Sequence, residues 1–63
     1  MPRSEEVVEV LRRSKEPLSI DQICKAVYGR TGDRERNVVR VNLHRLDSKG
    51  VLIKHPQTYA LKE

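Results

Sequence analysis

No phenylalanine and no tryptophan occurs in this 63-residue chain, and two tyrosines are its only aromatics. A core must therefore be built from Val, Leu and Ile, and a chain this short buries only about 60% of the surface it exposes when unfolded. Such a core leaves no room for a large ligand pocket or an elaborate catalytic site, which argues against an enzyme. The single cysteine, Cys24, excludes an internal disulfide and fits a reducing, cytoplasmic setting. One cysteine with His44 and His55 does not complete a zinc set, so neither metal nor cofactor is expected. A nucleophilic arrangement of Cys24, His44 and Asp47 can be drawn, but helical spacing directs His44 away from the core, where Cys24 is expected as a small apolar filler. No Gly-rich phosphate loop, signal peptide, internal repeat or apolar run of membrane-spanning length appears, and a soluble protein is expected.

What the chain does have is positive charge, unevenly placed. Lys and Arg number 13 against 9 Asp and Glu, for a net charge of +4. Residues 1–29 hold five cations against five anions, while residues 30–63 hold eight against four. The whole excess lies in the second half, a sign asymmetry that points to a polyanionic partner.

The apolar pattern predicts three helices. The first spans about residues 4–14, with Ser4 as N-cap, Glu5 and Glu6 in the first turn, Val7, Val8, Val10 and Leu11 as the buried stripe, and Pro17 as the stop. Pro17 to Ser19 read as a short extended segment able to pair with the C-terminal hairpin as a third strand. Ser19 and Gln22 form a capping box opening a second helix over about residues 20–29, whose Ile20, Ile23, Cys24 and Val27 face inward and which Gly29 ends. Thr31 and Gly32 suit a surface turn, and Asp33 is placed to cap a third helix over about residues 34–49, closed by a left-handed Gly50.

At 100° per residue, Val39, Leu43 and Leu46 of that third helix fall within one narrow arc, with Asn42 at its edge. The opposite arc collects Arg34, Asn37, Arg40, Val41, His44, Arg45 and Ser48. Arg can pair with guanine edges, Asn with adenine, and the methyls of Val41 with a thymine methyl, so this face suits a major groove. Residues 51–62 then read as a hairpin turning around Pro56 and Gln57, with Lys54, His55, Gln57 and Thr58 at its tip. Tyr59 is open to two roles, packing over the core or stacking on a base.

Val27-Tyr28-Gly29 ending the second helix, Asn37-Val38-Val39 with Val41 in the third, Arg45-Leu46 beyond them and Tyr59-Ala60-Leu61 in the last strand resemble the winged-helix effector domains of OmpR-type response regulators. The resemblance covers residues 27–61. It implies that the third helix enters the major groove, that the wing reaches the adjacent minor groove, and that Asn37, Arg40, Val41, His44 and Arg45 take groove or phosphate roles. The chain departs from the family at Arg40, where an acidic residue often follows the paired valines, a change that should strengthen phosphate affinity. Nothing in it resembles that family's amino-terminal sheet or receiver domain, and a plain prokaryotic or viral wing domain fits the same residues.

The expected architecture is α+β, a winged helix-turn-helix occupying residues 1–63 as one domain. Its order is helix, strand, helix, helix, strand, wing, strand, so that three helices carry a small antiparallel sheet. The expected activity is binding of double-stranded DNA by a small transcriptional regulator or recombination accessory factor. Arg34, Arg36, Arg40, Arg45 and Lys54 supply charge, Asn37, Val41 and His44 supply base discrimination, and His55 and Gln57 extend the contact from the hairpin. So small a module binds weakly alone, and a homodimer, a tandem site or a larger protein complex is expected with it. The alternative is a protein-interaction module of a transcription or replication complex, with Val8, Val38 and Val41 as its contact strip. RNA binding lacks an aromatic stacking platform.

Overall fold

A computed structural model of the protein describes residues 4–62, the side chain of Ser4 apart. Three helices and a two-stranded antiparallel sheet follow one another as α1 (Ser4–Arg13), α2 (Ile20–Tyr28), α3 (Asp33–Ser48), β1 (Leu52–Lys54) and β2 (Tyr59–Leu61). The strands pair in the register Leu52 with Leu61, Ile53 with Ala60 and Lys54 with Tyr59.

Each helix is bounded by local chemistry. In α1, Glu5 and Glu6 sit in the first turn and Arg12 and Arg13 in the last, matching the sign of the helix dipole at both ends. The capping role expected of Ser4 lies outside the described side chains. α2 opens on a complete capping box: the Gln22 N–H donates to Ser19 Oγ at 3.1 Å, and the Ser19 N–H donates to Gln22 Oε1 at 2.8 Å. It closes at Gly29, whose φ of 79° is left-handed. α3 ends in a Schellman motif, with the Gly50 N–H donating to the Asp47 carbonyl at 3.0 Å and the Val51 N–H to the Leu46 carbonyl at 3.2 Å. Gly50 takes the left-handed turn this requires, at φ 75°.

Two sequence expectations are corrected here. Asp33 does not cap α3; Gly32 holds the N-cap position without a side-chain hydrogen bond, and Asp33 is the first helical residue. The carboxylate that folds back over this terminus belongs to Glu35, in the third helical position. The expected strand at Pro17 to Ser19 is reduced to one antiparallel bridge, in which Leu18 and Tyr59 exchange N–H to carbonyl bonds of 2.9 and 2.7 Å. Pro17 has no N–H to offer, and the Ser19 N–H is committed to the capping box, so Leu18 alone is left to pair.

The core lies between the helices and the inner face of the hairpin. Val7 and Leu11 of α1, Ile23 and Cys24 of α2, Val39, Leu43 and Leu46 of α3 and Leu52 of β1 are all buried. Val8, Leu18, Ile20, Val27, Tyr28, Tyr59 and Leu61 pack around them. Tyr59 thus takes the packing role. The sheet's two-residue alternation puts Leu52, Lys54 and their partners on one face and Ile53 with Ala60 on the other. Among the described residues no helix is long and apolar enough to cross a membrane.

Candidate nucleic-acid interface

α3 is the longest helix, at 16 residues, and its two arcs are cleanly separated. Val39, Asn42, Leu43 and Leu46 are buried, while Arg34, Asn37, Arg40, Val41, His44, Arg45 and Ser48 are all exposed. Val41 is 51% exposed, a large apolar side chain held in water amid cations and amides. Because the buried arc is fixed against α1, α2 and β1, the exposed arc is presented as a rigid surface.

Within that surface Arg40 Nη1 donates a 3.0 Å hydrogen bond to Asn37 Oδ1, one helical turn away. Arg40 and His44 also line a cleft of about 120 Å³ with Leu43, Asp47, Lys54 and Tyr59, which brings the helix face and the hairpin to a common junction. There Lys54 Nζ lies 3.8 Å from Asp47 Oδ2. Lys54 occupies the same sheet face as Leu52, so its ammonium leans back toward α3 instead of projecting from the hairpin tip. His55 and Gln57 are exposed at the turn, where the His55 N–H donates to the Thr58 carbonyl at 2.9 Å and closes the loop.

Arg36 stands apart from the other expected cations. Its Nε is shielded from solvent and lies 3.0 Å from Asp21 Oδ1 of α2, an ion pair outside hydrogen-bond alignment. Arg36 and Gln57 both line a second cleft, with Ser19, Ile20, Asp21, Pro56 and Tyr59, on the α2 side of the hairpin. Arg36 therefore ties α3 to α2, and its charge is shared with Asp21.

Three features of the surface escaped sequence reasoning. Asp47 follows Arg40 by seven residues, the same stripe as His44, so its place in the cleft was readable from spacing; it brings a negative charge into the basic face. Glu35 is 8% exposed and pairs with Arg30 through Oε2 and Nε at 3.2 Å, and its position three residues after Gly32 was the signal for a helix-terminus carboxylate. Val51 and Ile53, 38% and 41% exposed, lie outside the buried hairpin face. Val8 and Leu61, with Arg12, Val51 and Lys62, line a further cleft beside α1. Of the valines expected to form one contact strip, Val8 packs against the core and Val38 is half-buried, leaving Val41 exposed.

Cys24 is fully buried and His44 exposed, so the two do not meet. Burial pushes the Cys24 thiol above its ordinary range, the Asp21 and Glu35 carboxylates add to the shift, and Arg36 and Arg40 oppose it. Tyr28 is raised likewise, first by burial and then by Glu35. Among the described residues no group of three or more His, Cys, Asp and Glu is placed to hold a metal ion. Comparison with protein-family models, curated proteins and solved structures finds no match to the chain.

Proposed function

We propose that the protein is a winged-helix module that binds double-stranded DNA, with α3 in the major groove and the β1–β2 hairpin as the wing. The carrying observation is the composition of the exposed arc of α3. Three arginines, an asparagine, a histidine and a solvated valine share one rigid face, backed by an arc that is wholly buried. A helix buries its apolar stripe wherever it packs, but a large aliphatic group kept in water among donors costs solvation that a thymine methyl would recover. Arg34, Arg40 and Arg45 contribute phosphate affinity, with Lys54 adding to it once a phosphate displaces Asp47 from its ion pair. Asn37, Val41 and His44 read base edges, and His55 and Gln57 meet the backbone beside the hairpin turn. The regulatory or recombination role expected from the sequence follows if binding is selective. A homodimer, a tandem site or a larger complex would supply the affinity that one module of this size lacks.

A salt-titrated binding assay with random duplex DNA, single-stranded DNA and RNA tests this reading. Duplex binding that weakens steeply with salt is expected. Equal retention of all three polyanions, or of none, overturns it.

A second reading is favoured by Val51, which is exposed and lines a cleft with Val8, Arg12, Leu61 and Lys62. An apolar cleft bordered by cations suits a protein partner. It does not compete with the α3 face, and the same module can use both.

A further inference from the structure

No residue of α3 lines the cleft formed by Val8, Arg12, Val51, Leu61 and Lys62, so it is separate from the face assigned to DNA. Its walls are aliphatic. Val8 and Leu61 are half-buried against the core, and Val51, just before β1, is 38% exposed. At about 370 Å³ the cleft accepts one or two aliphatic side chains and little more.

The rim is cationic, and its charge is not neutralised within the chain. Glu9 is shared by two guanidiniums: Oε1 lies 3.3 Å from Arg12 Nη1 and Oε2 lies 3.6 Å from Arg13 Nε, so one anion faces two cations. Lys62 is exposed and enters none of the ion pairs among the described residues. No carboxylate lines the cleft. Glu5 follows the same stripe of α1 but sits in the first turn, whereas Arg12 is in the last, which leaves the Arg12 end positive.

On the reading of this cleft as a protein-partner site, we propose that its partner is an acidic segment of another protein. The segment seats one or two aliphatic side chains against Val8, Val51 and Leu61 and sets carboxylates beside Arg12 and Lys62. Each half of that chemistry excludes a class of partner. A polyanion without apolar groups gains nothing from the walls, and an apolar segment carrying cations is repelled by the rim. With a duplex on α3, the module would then tether an acidic partner to DNA.

The test is a titration of the isotope-labelled protein, followed by the shifts of its backbone amides, with three capped peptides at concentrations up to about 1 mM. The first carries two leucines one helical turn apart among glutamates, the second replaces the leucines by serines, and the third replaces the glutamates by glutamines. The first should saturably shift Val8, Arg12, Val51, Leu61 and Lys62, the second should leave these amides in place, and the third should bind about tenfold more weakly. Val51→Asp and Lys62→Glu, each first checked for fold by circular dichroism, should weaken the first peptide by a similar factor and leave duplex binding unchanged. The peptide series uses the wild-type protein and stands whatever the variants do. Equal binding of the glutamine peptide at the cleft overturns the inference and leaves the protein-partner reading standing. Shifts confined to the exposed arc of α3, or equal binding of the serine peptide, also overturn it. So do concentration-dependent shifts of the same amides in the protein alone, which would put a second copy in the cleft. No response of the cleft to any peptide overturns the inference and the protein-partner reading together.

Discussion

The carboxylate of Glu35 occupies the space into which a β-carbon at position 32 would project, so the N-terminus of α3 is closed by a glycine and an acid three residues apart. Glu35 is held there by Arg30 at 3.2 Å, with its side chain 10% exposed. Gly32→Ala should cost about 1 kcal/mol, because alanine caps poorly and because the carboxylate must move. Combining it with Glu35→Ala removes the obstruction, so the double variant should lose less than the sum of the single losses in urea denaturation. Additive losses would mean that the carboxylate does not rest over Gly32.

Arg36 and Arg45 should part company in a salt series. Arg45→Ala is expected to lower the dependence of log affinity on log salt by about one, the signature of one lost phosphate contact. Arg36→Ala should leave that slope nearly unchanged and reduce stability by less than about 1 kcal/mol, since its pair with Asp21 is partly solvated. Fluorescence anisotropy on a labelled duplex measures the slopes. Equal slope changes would place Arg36 on the phosphates.

Leu43 and Leu46 are 3% and 4% exposed, at the junction of α3 with the rest of the core. Truncation of either to alanine should cost about 2–5 kcal/mol, against a total of about 3–5 kcal/mol for a core of this size. Either variant should therefore be largely unfolded at 25 °C by circular dichroism. A melting curve close to that of the wild type would show that the site relaxes around the missing side chain.

Stability should fall on the alkaline side. Cys24 and Tyr28 both ionise at higher pH in the folded protein than in the unfolded chain, chiefly because burial disfavours their charged forms. Below about pH 7.5, a unit under the ordinary thiol value, both groups are protonated in both states, and their contribution to stability is fully present. As the pH rises further the unfolded chain loses these protons first, so the free energy of unfolding declines. Urea midpoints between pH 7 and 10 test this, and Cys24→Ala should flatten the thiol's share of the decline. A thiol reagent should likewise label native Cys24 far more slowly than the urea-unfolded chain.

The sequence by itself determined the helices, because their signals are local. The Ser19–Gln22 capping box, the left-handed Gly29 and Gly50, and the spacing of Val39, Leu43 and Leu46 each depend on residues within a turn or two of one another. The exposed arc of α3 was legible for the same reason, being the complement of a buried arc. Tertiary structure decided what depends on partners distant in the chain. Whether Pro17 to Ser19 formed a strand rested on how many backbone groups were free to meet Tyr59, and Leu18 alone was. Charge could be counted in the sequence, but only packing showed that Arg36 would face Asp21 of α2 and that Lys54 would lean back to Asp47. A helical wheel assigns a side chain to a face. It cannot say which opposite charge the fold will bring to that face, because ion pairing between elements is fixed by their docking and not by the period of either one.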